Sequence, residues 1–415
     1  MTSKSRNASR NAGRDQSWKV LSGGITAPQG YLASGVAAGI KAKGLDLAVV
    51  FSSRPSSGAA VFTQNQVQAA PITLSRKHLK ASGGRIRAVL LNSGCANACT
   101  GEKGMQDALI SARSLASHLK IEPSSVLVAS TGVIGVPLPI RKILHGISSG
   151  VSALSSRGGS AAARAIMTTD TQEKSIALER RIAGKKVRIG GMAKGSGMIH
   201  PNLATMLAVV TTDAKIAAVH LDRILRRVVE RTFNCLTVDG DTSTNDMVVV
   251  IANGASSVKI EGPAVSQFEK GLERICEALA KQIARDGEGA SKFVEICVDG
   301  ANSFTEARQV AKSITHSSLV KTALCGEELN WGRILCAAGY SGVPFNPDGV
   351  VLSLNGIPVY RYGSALASTR AKAERALRSH DVQIGLSLGQ GSHSARVWTC
   401  DLTRRYIDIN ASYIS

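Results

Sequence analysis

Short runs of β-branched and apolar residues alternate along this chain with stretches whose apolar residues recur every three or four positions. That alternation predicts an α/β (α+β) fold of layered sheets with flanking helices. The runs Ile86–Leu91, Val126–Ala129, Met206–Thr211, Met247–Ala252, Val294–Val298 and Val350–Leu354 predict strands. Between them, Ala108–Leu119, His220–Phe233, Phe268–Ile283, Thr305–Ile314 and Leu366–Leu377 predict helices. The stripe Phe268, Leu272, Ile275, Leu279 and Ile283 is the clearest of these. No internal repeat interrupts the pattern. With 415 residues, 44% hydrophobic and 19% charged, the chain has material for one large or two medium cores. The turn Asp286-Gly287-Glu288-Gly289 is the candidate boundary between them.

Several function classes fall away. No run approaches the roughly 18–20 apolar residues of a membrane span, and the N-terminus lacks a signal-like apolar core, so a cytoplasmic protein is expected. Residues 1–17 carry Lys4, Arg6, Arg10 and Arg14 among Ser, Asn and Gly and predict a disordered basic tail. Arg- and Ser-rich leaders also describe transit peptides, but Met1, Ala8 and Ala12 make no apolar face. The net charge of +20 raises nucleic acid as a partner; against it stand 4% aromatics and scattered cations. Arg223, Arg226, Arg227 and Arg231 lie on one amphipathic helix opposite Leu221, Ile224, Leu225, Val228 and Val229, as on a solvated helix. Eight cysteines without CxxC spacing read as reduced core thiols, and Cys95 with Cys99 makes no metal site. Gly190–Ser196 and Gly389-Gln390-Gly391 match neither the Walker nor the dinucleotide order, so no cofactor is expected.

Chemistry enters with Lys194-Gly195-Ser196-Gly197-Met198-Ile199-His200-Pro201-Asn202-Leu203-Ala204-Thr205-Met206-Leu207. The plain reading is a loop entering a buried strand. The sharper reading is self-cleavage between Ala204 and Thr205, since a threonine becomes a good nucleophile once it carries its own α-amine as base. An acyl-transferring threonine also needs an oxyanion hole. Thr131-Gly132, after the run Val126–Ala129, suits a turn offering a hydroxyl and a backbone N–H. His200 lies near enough to suggest a base, but the α-amine makes one unnecessary. Asp239, Asp241 and Asp246 form an acidic loop resembling a weak cation site.

The chain resembles the ornithine acetyltransferase/glutamate N-acetyltransferase (ArgJ) family of arginine biosynthesis over nearly its whole length. The resemblance runs through Gly23–Gly30, Asn92-Ser93-Gly94, Ala96-Asn97-Ala98, Ser130–Gly135, Thr168–Thr171, the Thr205 segment and Asp239–Asp246. It continues through Asp286–Ala290, Asn330–Ile334 and Asp408–Tyr413. It implies the N-terminal-nucleophile fold shared with DmpA-like aminopeptidases, with a nucleophile-bearing core over 18–287. A smaller C-terminal domain over 288–415 would send its tail back to the active site.

The same resemblance implies a reaction. Thr205 takes the acetyl group from N-acetylornithine and passes it to glutamate by a ping-pong route, with acetyl-CoA a further candidate donor. Thr131 and Gly132 hold the oxyanion, and Thr168, Lys194, Thr205, Glu288, Asn410 and Ser415 bind substrate. Ser415 stands where the family pattern ends in Thr, keeping the hydroxyl and losing a methyl. Asp239, Asp241 and Asp246 then belong to a structural network around the nucleophile. Cleavage leaves an α-chain of 1–204 and a β-chain of 205–415, paired into a heterotetramer. The rival reading is an N-terminal-nucleophile aminopeptidase of the same fold, in which water takes the acyl group; the matches at Lys194, Asn410 and Ser415 weigh against it.

Overall fold

Three sheets organise the computed structural model, which describes residues 17–200 and 206–412. The central sheet has six strands in the order Lys19–Leu21, Lys174–Ile182, Lys185–Lys194, Leu207–Thr212, Met247–Ala252, Ser57–Phe62. Leu207–Thr212 and Met247–Ala252 run parallel, with Leu207 beside Met247; every other neighbour is antiparallel. Both of these strands are buried at every position, which is why their composition is almost unbroken in its apolarity.

Alternate residues of the pair serve two cores. Leu207, Val209, Met247, Val249 and Ile251 face a four-stranded sheet, meeting Ala48, Val50, Val89, Leu91 and Leu127. Ala208, Val210, Val248 and Val250 face the other way, onto Leu221, Ile224 and Leu225 of helix Ala218–Arg231 and Leu272 and Ile275 of helix Pro263–Arg285. Each Val, Leu, Ile or Met side chain among these contributes roughly 1.5–3 kcal/mol by leaving water. The four-stranded sheet runs Tyr31–Val36, Leu47–Ser52, Ala88–Cys95, Val126–Val133, its last pair parallel. Helices Gly101–Leu119 and Ile140–Ser152 cover its outer face through Ala112, Leu115, Ile143 and Ile147. The layers are therefore helices, four strands, six strands, helices.

A third sheet has Phe293–Ala301 between Asp381–Ser387 and His393–Cys400, with helix Phe304–His316 packed on it. The turn Asp286-Gly287-Glu288-Gly289 joins helix Pro263–Arg285 to this sheet, and one apolar cluster continues across it from Trp18 and Ile283 to Val294 and Cys400.

Most sequence-predicted elements are present with shifted ends: the strand expected at Ile86–Leu91 spans Ala88–Cys95, and the helix expected at Leu366–Leu377 is confined to Arg370–Ala376. The hairpin Lys174–Ile182/Lys185–Lys194 has no counterpart among the predicted strands. Its two-residue turn, Ala183-Gly184, has both φ angles positive (48° and 77°), the geometry that suits the right-handed twist of the flanking strands. The basic face of helix Ala218–Arg231 is solvent-exposed at Arg223, Arg226 and Arg227, as expected, and carries ion pairs as well. Arg227 and Arg231 pair with Glu269 and Glu273 on the adjacent helix. All eight cysteines are free thiols, but Cys99 and Cys336 are exposed rather than in the core.

Candidate active site

Separate parts of the chain meet at the leading end of strand Leu207–Thr212. One cavity there is lined by Thr131, Gly132, Thr168, Lys194, Asp246, Glu288 and Asn410, with Met206 and Leu207 in its wall. Six sequence-predicted site residues are thus brought together. Ala204, Thr205 and Ser415 lie outside the described residues. The described chain resumes at Met206, whose carbonyl accepts from Met247 N–H at 3.0 Å.

Thr131 and Gly132 stand at the carboxyl end of strand Val126–Val133, beside Ser93 and Gly94 of the neighbouring parallel strand. Gly132 has φ +126°, and a Cβ on it would sit 2.6 Å from Cys95 N, so only glycine fits. The turns behind this pair are stapled by Asn245, whose side-chain amide donates to the carbonyls of Ala96 (2.6 Å) and Ser130 (2.9 Å).

Lys194 closes strand Lys185–Lys194, beside Leu207 in the register. Its buried ammonium donates to Thr168 Oγ1 at 2.6 Å and lies 3.4 Å from Thr131 Oγ1. Burial lowers its pKa, opposed by Asp170 at 4.0 Å and assisted by the nearby Lys174. Asp170 organises the floor beneath. One of its oxygens accepts from Lys174 Nζ and Gly195 N–H, both at 2.6 Å, and the other from Thr168 N–H at 3.0 Å. Burial works against ionisation of Asp170, but Lys194, Lys174 and the Gly195 N–H outweigh it and hold the carboxyl at about 2. Lys174 is shared with Asp286 at 2.5 Å.

Glu288 is buried against the loop after Lys194. Its N–H donates to Ser196 O at 2.9 Å, and its Oε2 accepts from Asn410 Nδ2 at 2.8 Å. Gly197 approaches so closely that a Cβ there would lie 2.5 Å from Glu288 Oε1. Asn410 arrives on helix Arg404–Ser412, near the end of the chain. The loop is held by Asp239, which accepts from the N–H groups of Met198 (2.6 Å) and Ile199 (2.9 Å). His200 turns from the cavity toward Thr237 and His316, with 3.0 Å between the two ring nitrogens. Burial, helped by Lys312, lowers the His200 pKa to about 3 and that of His316 to about 4.

Asp246 was grouped with a structural network from sequence, and the structure puts it in the cavity wall. Burial raises its carboxyl well above the ordinary carboxylate range, against the opposing pulls of Ser243 and Lys194. Its neighbour Met247 opens a strand, so the signal available in the sequence was an acid immediately before a fully apolar run. The described residues lining the cavity offer one ammonium, two carboxyl groups, and a threonine hydroxyl beside a glycine N–H.

A family model described as the ArgJ family matches residues 32–415. A protein of Symbiobacterium thermophilum called arginine biosynthesis bifunctional protein ArgJ is 49% identical over 399 residues, covering 95% of this chain and 99% of its own. One of the same name from Thermosynechococcus vestitus is 47% identical over 416 residues, covering 95% and 99%. Among solved structures, arginine biosynthesis bifunctional protein argJ from Bacillus halodurans is 41% identical with a TM-score of 0.43, covering 45% of this chain and 98% of that one. The ornithine acetyltransferase of Mycobacterium tuberculosis, complexed with ornithine, is 45% identical with a TM-score of 0.42, covering 45% and 100%.

Proposed function

The chain belongs to the ArgJ family, and from that membership we propose that it is a self-processing glutamate N-acetyltransferase of arginine biosynthesis. The observation that most supports this is the gathering of Thr131, Gly132, Lys194 and Glu288 in one cavity at the start of strand Leu207–Thr212. In this reading the Thr205 hydroxyl first attacks the Ala204 carbonyl, and water resolves the ester to leave Thr205 with a free α-amine. The amine then takes the hydroxyl proton as Thr205 attacks the acetyl carbonyl of N-acetylornithine. Thr131 and the Gly132 N–H meet the oxyanion, a task for which one donor is worth roughly 3–4 kcal/mol.

Lys194 and Thr168 receive the substrate carboxylate, a compact cation facing an anion. Glu288, held by Asn410, faces the side-chain ammonium of ornithine. The C–N bond breaks, the leaving amine takes the proton, and acetyl-Thr205 remains. The glutamate amine then attacks that ester, and N-acetylglutamate departs. Ser415 completes the substrate-binding set of this reading. The reading further comprises a cytoplasmic enzyme of two α- and two β-chains, a nucleophile-bearing domain ending near residue 287, and acetyl-CoA as a second donor.

Intact mass under denaturing conditions tests the first step. Wild type gives two fragments meeting at Ala204/Thr205 and Thr205→Ala stays whole; an uncut, active wild type sinks the mechanism. Acetylornithine turnover that does not depend on glutamate points instead to an amidohydrolase. Release of free CoA on mixing acetyl-CoA with glutamate tests the second donor.

A further inference from the structure

Among the fully buried acceptors of the cavity's described lining, one has no hydrogen-bond partner. Among the side chains lining the cavity, Asn245 Oδ1 is engaged by the Thr244 hydroxyl at 2.6 Å and Glu288 Oε2 by Asn410. Thr169 pairs with Ser196 at 2.7 Å, and Thr168 and Thr131 face the Lys194 ammonium. Asp246 Oδ2 is buried and has no hydrogen-bond partner among the described residues. A buried polar atom without a partner is costly, and in a cavity built for a ligand it marks where a ligand donor goes.

The acetylated α-amine supplies such a donor. An amide presents one acceptor, its carbonyl oxygen, and one donor, its N–H. In the acetyl-transfer reading the carbonyl goes to Thr131 and Gly132, the carboxylate to Lys194, and the side-chain ammonium to Glu288; the N–H has no assigned acceptor. We propose that the free carboxyl oxygen of Asp246 accepts the amide N–H of the acetyl donor, making Asp246 a substrate-binding residue that tells an amide from an ester. This rests on the acetyl-transfer reading. Burial keeps the Asp246 carboxyl from ionising readily, and both protonation states leave an oxygen lone pair to accept with.

The test removes the contact from each side in turn. The substrates are N-acetylornithine and its ester analogue 2-acetoxy-5-aminopentanoate, in which oxygen replaces the N–H; the variants are Asp246→Leu, Asp246→Ala and Asp246→Asn. For Asp246→Leu, kcat/KM on the amide is expected to fall at least about tenfold, while kcat/KM on the ester changes less than about threefold. Asp246→Ala repeats the result without the bulk, and Asp246→Asn, which keeps an acceptor oxygen, recovers most of the loss. Equal losses on both substrates, no loss on either, or Leu and Ala variants that both remain uncut overturn the proposal. A wild type inactive on both substrates sinks the acetyl-transfer reading instead.

Discussion

The ammonium of Lys194 stands 2.6 Å from the hydroxyl of Thr168, two residues from different strands and loops that share no sequence motif. Replacing Lys194 by Met removes the cation while keeping most of the volume. KM for both N-acetylornithine and glutamate is expected to rise about 10- to 100-fold, the worth of a hydrogen bond to a charged group. Steady-state kinetics on each substrate check this; a change confined to one of them would mean that the two carboxylates do not share a site.

The same lysine sets a pH dependence. Because burial lowers its pKa from 10.5, the ammonium is lost at a lower pH than on an exposed lysine. KM is therefore expected to climb as pH rises through that lowered value, while Lys194→Arg, always charged, removes the limb. A KM profile in Lys194→Arg that keeps the wild-type basic limb would assign it to another group.

The triad of Asp170, Lys174 and Asp286 lies beneath the cavity and ties the Thr168 loop and Gly195 to the end of helix Pro263–Arg285. Lys174→Met removes the cation that Asp170 and Asp286 share, with Lys194 left at 4.0 Å from Asp170, and is expected to cost about 3 kcal/mol, read from denaturant unfolding. Asp170 has its carboxyl held at about 2 in the fold, below its usual 3.8. Its contribution is thus fully present above the unfolded value and lost as pH falls from about 4 toward about 2. An acid limb of stability that is unchanged in Asp170→Asn would refute the assignment.

His200 and His316 act in a different pH window. Their folded pKa values, about 3 and about 4, lie below the ordinary 6.5, so the unfolded chain takes up protons first. Stability is expected to be undiminished above 6.5 and to decline as pH falls below it, with His316→Gln flattening the decline. kcat near neutral pH should be nearly unaffected, because neither ring lines the cavity. A His316→Gln enzyme that loses most of its turnover would return the pair to the mechanism.

Thr131 separates hydroxyl from methyl. Thr131→Val is expected to lower kcat about 100- to 1,000-fold and Thr131→Ser only slightly, by the usual worth of an oxyanion donor. Equal kcat in the two variants would remove the hydroxyl from the oxyanion hole.

The layered class and the central strands were legible because burial on both faces writes itself as unbroken apolar runs, and Met247–Ala252 was predicted to the residue. The hairpin Lys174–Ile182/Lys185–Lys194 was not, because Lys, Arg and Glu sit at its outer end and Gly190-Gly191 at its inner one. Those glycines are packing sites. A Cβ on Gly191 would come within 2.9 Å of Ile275, and one on Gly190 would strike Gly24 O. Helix Ile140–Ser152 was hidden for a similar reason, with Gly146 and Gly150 pressed on Ala38 and Leu47. The site residues came through family resemblance, not local pattern. Nothing near Glu288 or Asn410 in sequence signals that they touch, and an unpartnered oxygen such as that of Asp246 exists only in three dimensions.

The strand order of the central sheet has a mechanical consequence. A cut before Met206 would assign Lys19–Leu21, Lys174–Ile182, Lys185–Lys194 and Ser57–Phe62 to one piece, and Leu207–Thr212 with Met247–Ala252 to the other. The second piece's strands are then clasped on both sides by the first, through the seams Lys194/Leu207 and Met247/Phe62. Two strands gripped along both edges cannot slide out one hydrogen bond at a time. Parting the pieces means melting the sheet, so dissociation and unfolding become a single event, and the melting temperature of the cut enzyme should rise with its concentration as that of an obligate complex does.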